Sequence, residues 1–336
     1  MEYKIMFIIA LAVTFLATVL ISRWLIPVLK SRKMGQKILE IGPRWHKSKE
    51  GTPTMGGIAF IVPAVVVGVA GSVFLWIREG ASAALPLVLT LALGLMGGLI
   101  GCIDDSAKLR NKRNEGLTAP QKFLLQVAAA ALYLLGMTFF CHMTTSLYIP
   151  YFNVSFDIGP FFYVFAMILI VGMMNSVNLT DGIDGLASSV TLVVGVFFTV
   201  AGFLTGMAEA DGSLLMLGGV IIGGTAGFLV YNFHPARVFM GDTGSIFLGG
   251  LVVGGAFMMN NPLIIVVAGL VFILETLSVM LQVTYFKITH GKRLFKMSPI
   301  HHHFEQCGWS EVKIVLVFSA VTVALCAAAV FGLRRF

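Results

Sequence analysis

"LPLVLTLALGLMGGLIGCIDDSAK", residues 85–108, decides the fold. Nineteen uncharged residues run from Leu85 to Ile103, stop at Asp104 and Asp105, and are followed by Lys108. An uncharged apolar run of about 20 residues is the length of a helix that crosses the hydrocarbon layer of a bilayer. Such runs recur, and they predict helices over 5–29, 56–77, 84–103, 121–141, 160–178, 186–206, 214–231, 245–259, 263–286 and 312–333. Of 336 residues, 57% are hydrophobic and only 12% are charged, against about 25% charged in soluble domains; the mean hydropathy is +0.92. The reading is an all-α polytopic integral membrane protein with about ten transmembrane helices, organised as one domain over residues 1–336. The first run, Ile5 to Ile21, is too long for a cleaved signal peptide and lacks a small-residue cleavage site, so it reads as the first span. There is no internal repeat. The loop 142–159 contains "SLYIPYFNVSFDIG", which suits a small hairpin.

Charge is concentrated on one face. Nineteen of the 23 Lys and Arg lie in or beside the loops 30–55, 104–120, 179–185, 232–244 and 287–311. They include Lys33, Lys37, Arg44, Lys47, Lys49, Lys108, Lys112, Arg113, Lys122, Arg237, Lys287, Lys292, Arg293, Lys296 and Lys313. The positive-inside rule makes this face cytoplasmic. The basic pI of about 9.3 is thereby explained by topology and anionic ligands, without a nucleic-acid partner. The four cysteines, Cys102, Cys141, Cys307 and Cys326, show no CxxC spacing and read as buried thiols.

The same face collects the unusual polar motifs: "HKSKEGTPTMGG" (46–57), "DDSAK" (104–108), "NLTDGIDGLA" (178–187), "YNFHPARVFMGDTGS" (231–245) and "SPIHHHFEQCGW" (298–309). Read as the end of a helix, Asp104 and Asp105 face the negative end of its dipole, which costs a few tenths to about 1 kcal/mol each; a bound cation reverses that sign. Mg²⁺ takes carboxylates together with phosphate oxygens. The plain alternative is a solvated helix end. Asp181 and Asp184, three apart, would share one face in the first turn of the sixth helix; capping is the alternative. Asn178, Gly182 and Gly185 complete a tight polar turn there. Asp242 precedes the eighth helix, and the glycines on either side leave room for a phosphate–metal group; capping again competes. His301, His302 and His303 lack the HxxxH spacing of a helical zinc site, and Pro299 suggests a fixed loop. Adjacent side chains diverge, so phosphate contact or proton transfer by one or two of them fits better than a shared metal. Lys49, Lys108 and Lys122 are either topological charge or phosphate contacts, and Lys108 beside the acid pair is the best placed. No GxxxxGK[ST] loop occurs, and no Ser or Cys has an evident neighbouring base. Acids, lysines and glycine turns at a membrane surface point to phosphoryl chemistry, which needs mainly positioning and charge neutralisation.

Taken together, "DDSAK", "NLTDGIDGLA", "YNFHPA", "FMGDTGS" and "SPIHHHFE" resemble the polyprenyl-phosphate N-acetylhexosamine-1-phosphate transferases. "GTPTMGG" and "HHHFEQCGWSE" resemble specifically the phospho-N-acetylmuramoyl-pentapeptide transferase branch, with motifs in order from about residue 46 to 313. The resemblance implies transfer of phospho-N-acetylmuramoyl-pentapeptide from UDP to undecaprenyl phosphate in a bacterial cytoplasmic membrane, with Mg²⁺, yielding lipid I and UMP. It implies Asp242 as the Mg²⁺ ligand, Asp104 as the base that keeps the lipid phosphate deprotonated, and Asp105 as its assistant at the metal or diphosphate. His302 joins them as a catalytic candidate. Asn178, Asp181 and Asp184 would lie at the nucleotide end, while Lys49, Lys108, Lys122, Asn232, His301 and His303 would contact substrate. A two-step path through a phosphorylated Asp104 or Asp105 stays open. The family's habit implies a homodimer among membrane lipids. Two rivals remain at this point: a sister transferase using UDP-N-acetylglucosamine, and an ion-coupled transporter, for which Glu275, near the middle of the ninth predicted span, is the best support.

Overall fold

In lipid, a spanning backbone must satisfy its own hydrogen bonds, and these apolar runs do so as helices. The computed structural model describes residues 2–32, 49, 51–111, 116–204 and 211–333; the charged residues Lys33, Lys37, Arg44, Lys47, Lys112 and Arg113 lie outside the described residues. The elements are α1 (Glu2–Ser31), α2 (Ile58–Glu79), α3 (Ala81–Asn111), α4 (Ala119–Phe140), β1 (Ser146–Ile149), β2 (Val154–Asp157), α5 (Phe161–Thr180), α6 (Leu186–Leu204), α7 (Asp211–Asn232), α8 (Gly241–Met258), α9 (Ile264–Ala268), α10 (Leu270–Ile288), α11 (Ile300–Gln306) and α12 (Glu311–Phe331). Among the described residues ten helices, α1 to α8, α10 and α12, are long and apolar enough to cross a membrane. The protein is a multi-pass membrane protein.

The bundle is built around α8, in which every residue from Thr243 to Met258 is buried. Glycines make that possible. A β-carbon on Gly101 of α3 would lie 2.1 Å from the Asp242 carbonyl oxygen, one on Gly250 would lie 2.8 Å from Gly94 Cα, and one on Gly254 would lie 2.6 Å from Thr90. The contacts run in opposite order along the two helices, so α3 and α8 are antiparallel, joined backbone to backbone by small residues. On α7, β-carbons added at Gly219, Gly223 and Gly227 would meet backbone atoms of Phe7, Leu11 and Phe15 in turn. Here the order is the same on both helices, so α1 and α7 are parallel, as alternating spans require. Large apolar side chains such as Ile8, Leu20, Ile77, Phe139 and Ile168 point outward, as a lipid-facing surface should.

Three sequence expectations change. The span placed at 84–103 continues as α3 to Asn111, so Asp104, Asp105 and Lys108 are helical. The span placed at 263–286 is broken at Gly269, where φ is −100° and a β-carbon would lie 2.8 Å from the Ile265 carbonyl oxygen. Of the cysteines only Cys326 is buried; Cys102 and Cys141 are half-buried and Cys307 is exposed. The hairpin forms as expected, with β1 antiparallel to β2 and Ser146 opposite Asp157. The Asp157 carboxylate accepts from Thr145 Oγ1 at 2.6 Å and from the Gly159 N–H at 2.9 Å.

Candidate active site

One end of the bundle gathers side chains from sequence-distant helix ends and turns, and each has a local reason for its place. Continuing α3 past Asp104 puts Lys108 one turn on, with its ammonium 2.8 Å from Asp104 Oδ2, an i,i+4 pair that supports the helix. Thr118 caps α4: its hydroxyl accepts from the Gln121 N–H while the Gln121 side chain accepts from the Thr118 N–H. That box fixes Lys122, the next residue, over the same spot. Gly241, at φ +70°, turns the chain into α8 so that Asp242 falls in its first turn. Asp242 is not a helix cap. Its Oδ2 accepts from Lys108 at 2.8 Å and Lys122 at 2.7 Å, and its Oδ1 from the Asn178 amide at 2.9 Å. Lys122 also lies 3.6 Å from Asp104 Oδ2, and Asn178 donates to Ser245 at 2.8 Å.

Asp105 is occupied differently from Asp104. Its oxygens accept from the Asp242 N–H at 3.3 Å, the Thr243 N–H at 3.0 Å and the Thr243 hydroxyl at 2.7 Å. It therefore satisfies first-turn amides of α8 that no helical carbonyl reaches. Gly241 and Gly244 serve the same close packing and do not leave open room as the sequence suggested. A β-carbon at 241 would lie 2.5 Å from Asp105 Oδ2, and one at 244 would lie 2.7 Å from Met240 Cβ.

The expectation that Asp181 and Asp184 share the first turn of the sixth helix is overturned: α6 starts at Leu186, and both acids lie in the turn after α5. Gly185, at φ +77°, lets that turn fold back. The two acids part company there. Burial, together with the charges of Asp242, Asp105 and Asp184, pushes the Asp181 carboxyl well above the usual carboxylate range. Asp184 is enclosed in a second network. It accepts from Lys49 at 2.7 Å, His234 Nδ1 at 3.0 Å and the Ala236 N–H at 2.9 Å. Lys49 also reaches Glu311 at 2.6 Å. The carboxylates of Asp184 and Glu311 and the His234 ring are close enough for a metal, but the Lys49 ammonium already bridges the two acids. Sequence reading missed Glu311 and His234. Glu311, just after the cap Ser310, looks like an ordinary first-turn acid, and His234 lay inside a quoted motif. Asn232 is buried and held at both ends of its amide, donating to the Val238 carbonyl at 3.0 Å and accepting from Ser188 at 3.1 Å.

The histidines occupy a short helix, α11, and not the fixed loop expected after Pro299. Their polar atoms go to different partners, but the side chains do not all diverge as expected: the His301 and His302 rings lie with centroids 4.1 Å apart. His301 is fully enclosed against Glu275, His302 Nδ1 lies 2.5 Å from Glu305, and His303 Nδ1 accepts from the Lys296 N–H at 3.1 Å. Glu275 itself does not lie at mid-span. Its neighbour Thr276 bonds Ser176 at 2.8 Å, one turn from the end of α5, while α10 runs on to Ile288. The acid therefore belongs to the polar end, which removes the support it gave to a transporter.

Asp104, Asp105, Asp181 and Asp242 bring four carboxyl groups to the first cluster, and Lys108 and Lys122 bring two ammonium groups. The excess of carboxyls and the all-oxygen acid set fit a hard divalent cation such as Mg²⁺.

Residues 86–260 match the Glycosyl transferase family 4, a segment that holds the whole acid cluster. Residues 49–61 match the phospho-N-acetylmuramoyl-pentapeptide-transferase signature 1. A Clostridium acetobutylicum protein with that transferase name is 43% identical over 96% of this chain and 97% of its own. The chain belongs to the phospho-N-acetylmuramoyl-pentapeptide-transferase family. Two further relatives of the same name come from Staphylococcus carnosus (42% identical over 91% of this chain and 92% of its own) and Staphylococcus aureus (44% over 94% of each). The family signature begins at Lys49, the residue that locks Asp184 to Glu311. It continues through the strap in which Pro53 accepts from the Phe239 N–H at 2.8 Å and Gly57 donates to Met240 at 3.0 Å. In this member of the transferase family, then, the signature holds the loop leading into Asp242.

Proposed function

We propose that the chain transfers phospho-N-acetylmuramoyl-pentapeptide from its UDP-activated donor to undecaprenyl phosphate, giving lipid I and UMP in bacterial peptidoglycan synthesis. The observation that carries this is the convergence of Asp104, Asp105, Asp181 and Asp242 with Lys108 and Lys122 at one end of a lipid-embedded bundle. A phosphate carried on a lipid and one carried on a soluble nucleotide can meet there. In the reaction an oxygen of the lipid phosphate bonds to the sugar-bearing phosphorus, and the bond from that phosphorus to UMP breaks.

Mg²⁺ at Asp242 would neutralise the donor diphosphate and the charge developing on the leaving UMP. The chain's own residues do the rest. Lys108 and Lys122, which both rest on Asp242 Oδ2, supply the ammonium groups that would contact phosphate oxygens if Asp242 held the cation. Asp104 keeps the accepting lipid phosphate deprotonated. Asp105 holds the first turn of α8 in register with α3 and so keeps Asp242 in place. Asn178 orients Asp242 through its Oδ1. Lys49 and Asp184 brace the nucleotide end, with His302 and His303 at its rim. The basic residues near this end support a cytoplasmic orientation at the inner membrane, and the working unit of this reading is a homodimer.

The test is direct. Purified protein is incubated with UDP-N-acetylmuramoyl-pentapeptide, undecaprenyl phosphate and Mg²⁺, and the products are analysed. UMP together with lipid I is the expected result. Turnover of UDP-N-acetylglucosamine with none of the muramoyl donor would overturn the substrate. Loss of dependence on divalent cations would overturn the metal.

A further inference from the structure

Glu275 on α10 has no exposed surface, and an acid so placed in a spanning helix needs a partner. Its Oε2 lies 3.0 Å from His301 Nδ1 and also accepts from the His301 backbone N–H at 3.4 Å. The backbone N–H donates to Oε2, and an ionised carboxylate can only accept, so an ionised Glu275 puts the ring proton on Nδ1. His301 is itself fully enclosed. Its Nε2, like Glu275 Oε1, meets no polar partner among the described residues. What Nε2 does meet is Gly182, where an added β-carbon would lie 2.2 Å away. An N–H at that edge would point at carbon, so Nε2 carries its lone pair against the turn that holds Asp181 and Asp184.

We infer that Glu275 is a positioning residue of the candidate active site: by accepting the Nδ1 proton of His301 it locks the ring in one tautomer, and the bare Nε2 edge then sets the position of the Gly182 turn beside Asp181. Which imidazole nitrogen is protonated is decided by the hydrogen bond its partner nitrogen makes. Without Glu275 the proton is free to move to Nε2, where it needs an acceptor that Gly182 lacks. The ring then tilts, and Asp181 moves relative to Asp105 and Asp242. The consequence for the metal rests on the proposed function; the tautomer does not.

The experiment uses full-length protein with ¹⁵N-labelled histidine in lipid nanodiscs without substrate, His301→Gln serving to assign the ring signals. Wild type is expected to show Nδ1 protonated and Nε2 bare. Glu275→Leu should reverse that signature, while Glu275→Gln, whose amide oxygen still accepts, should keep it. In a parallel assay Glu275→Leu is expected to raise the Mg²⁺ needed for half-maximal turnover by about tenfold, the scale on which lost supporting hydrogen bonds act on metal sites, and Glu275→Gln to rescue most of it. A wild-type Nε2–H signature, or an unchanged tautomer in Glu275→Leu, would overturn the inference, because a residue that merely packs would lower stability without moving a proton. If Glu275→Leu does not fold, the wild-type and Glu275→Gln spectra still decide. Failure of wild type to make lipid I would sink the functional reading and leave the tautomer result standing.

Discussion

Two neighbouring carboxylates in one helix have been given different work. Asp105 spends its oxygens on the first-turn amides of α8, whereas Asp104 Oδ2 faces the two lysines. Asp105→Asn is therefore expected to lower thermal stability, since a charge-assisted clamp weakens. Asp104→Asn should fold and lose about 10²–10⁴ in kcat, the range of a general base, with a defect that shrinks at higher pH as the lipid phosphate ionises unaided. Trapping of a phospho-muramoyl adduct on Asp104 when donor is supplied without lipid would refute the base and favour two steps. Asp242→Asn should stay folded and lose about 10²–10³ in rate; near-normal activity across a Mg²⁺ titration would refute it as the ligand. Asp181 offers a pH test. Its carboxyl is held above the usual range by burial and like charges. Its contribution to stability is thus fully present below the ordinary carboxylate value near ~4, and is lost as pH rises through the raised one. Metal-free protein should melt at a falling temperature from acidic toward neutral pH, and Asp181→Asn should flatten that slope. Parallel slopes in wild type and variant would show the carboxyl to be freely hydrated.

At the scale of elements, the glycine stripe between α3 and α8 is what delivers Asp242 to Asp105. Gly101 is the closest approach, so Gly101→Ala must part the helices next to the site. Overpacking of that kind costs typically ~1–3 kcal/mol, and here it should also depress turnover although Gly101 touches no substrate. Gly172 on α5 has open space where a β-carbon would go, and Gly172→Ala should change neither melting nor rate. Equal effects from the two alanines would remove the stripe from the argument. The spans themselves were legible because an uncharged run of membrane length admits few other readings, and the hairpin because turn residues flank short apolar strands. The extension of α3 was not. Asp104, Asp105 and Lys108 look like loop polarity until the i,i+4 pair is seen to close. The break at Gly269 was equally hidden, since a single glycine in an apolar run does not announce a change of helix. At the site, the motif acids were visible as unexplained charges. The pairings Lys49–Asp184–Glu311 and Glu275–His301 join residues 135, 127 and 26 positions apart, and no local pattern carries such a match.

For the whole molecule, the parallel α1 and α7 and the antiparallel α3 and α8 mean that alternate connections fall at opposite ends of the bundle. The candidate site lies at the end where α3 and α5 finish and α8 begins, and the β1–β2 hairpin lies at the other. The positive-inside rule predicts a cytoplasmic first end, so a single prediction tests the orientation of the bundle and the side from which the soluble donor arrives. In a variant with the four native cysteines replaced, Asn153→Cys at the hairpin turn should react with a membrane-impermeant thiol reagent added to cells whose inner membrane is intact. Phe295→Cys, in the loop between α10 and α11, should react only after that membrane is permeabilised. Phe295 packs against His303 with ring centroids 5.8 Å apart, so this second position reports on the site's own end and not on a remote tail. Labelling of Phe295→Cys from outside would put the acid cluster on the side where a cytoplasmic nucleotide donor is absent, and would overturn the proposed reaction even with every distance at the site unchanged.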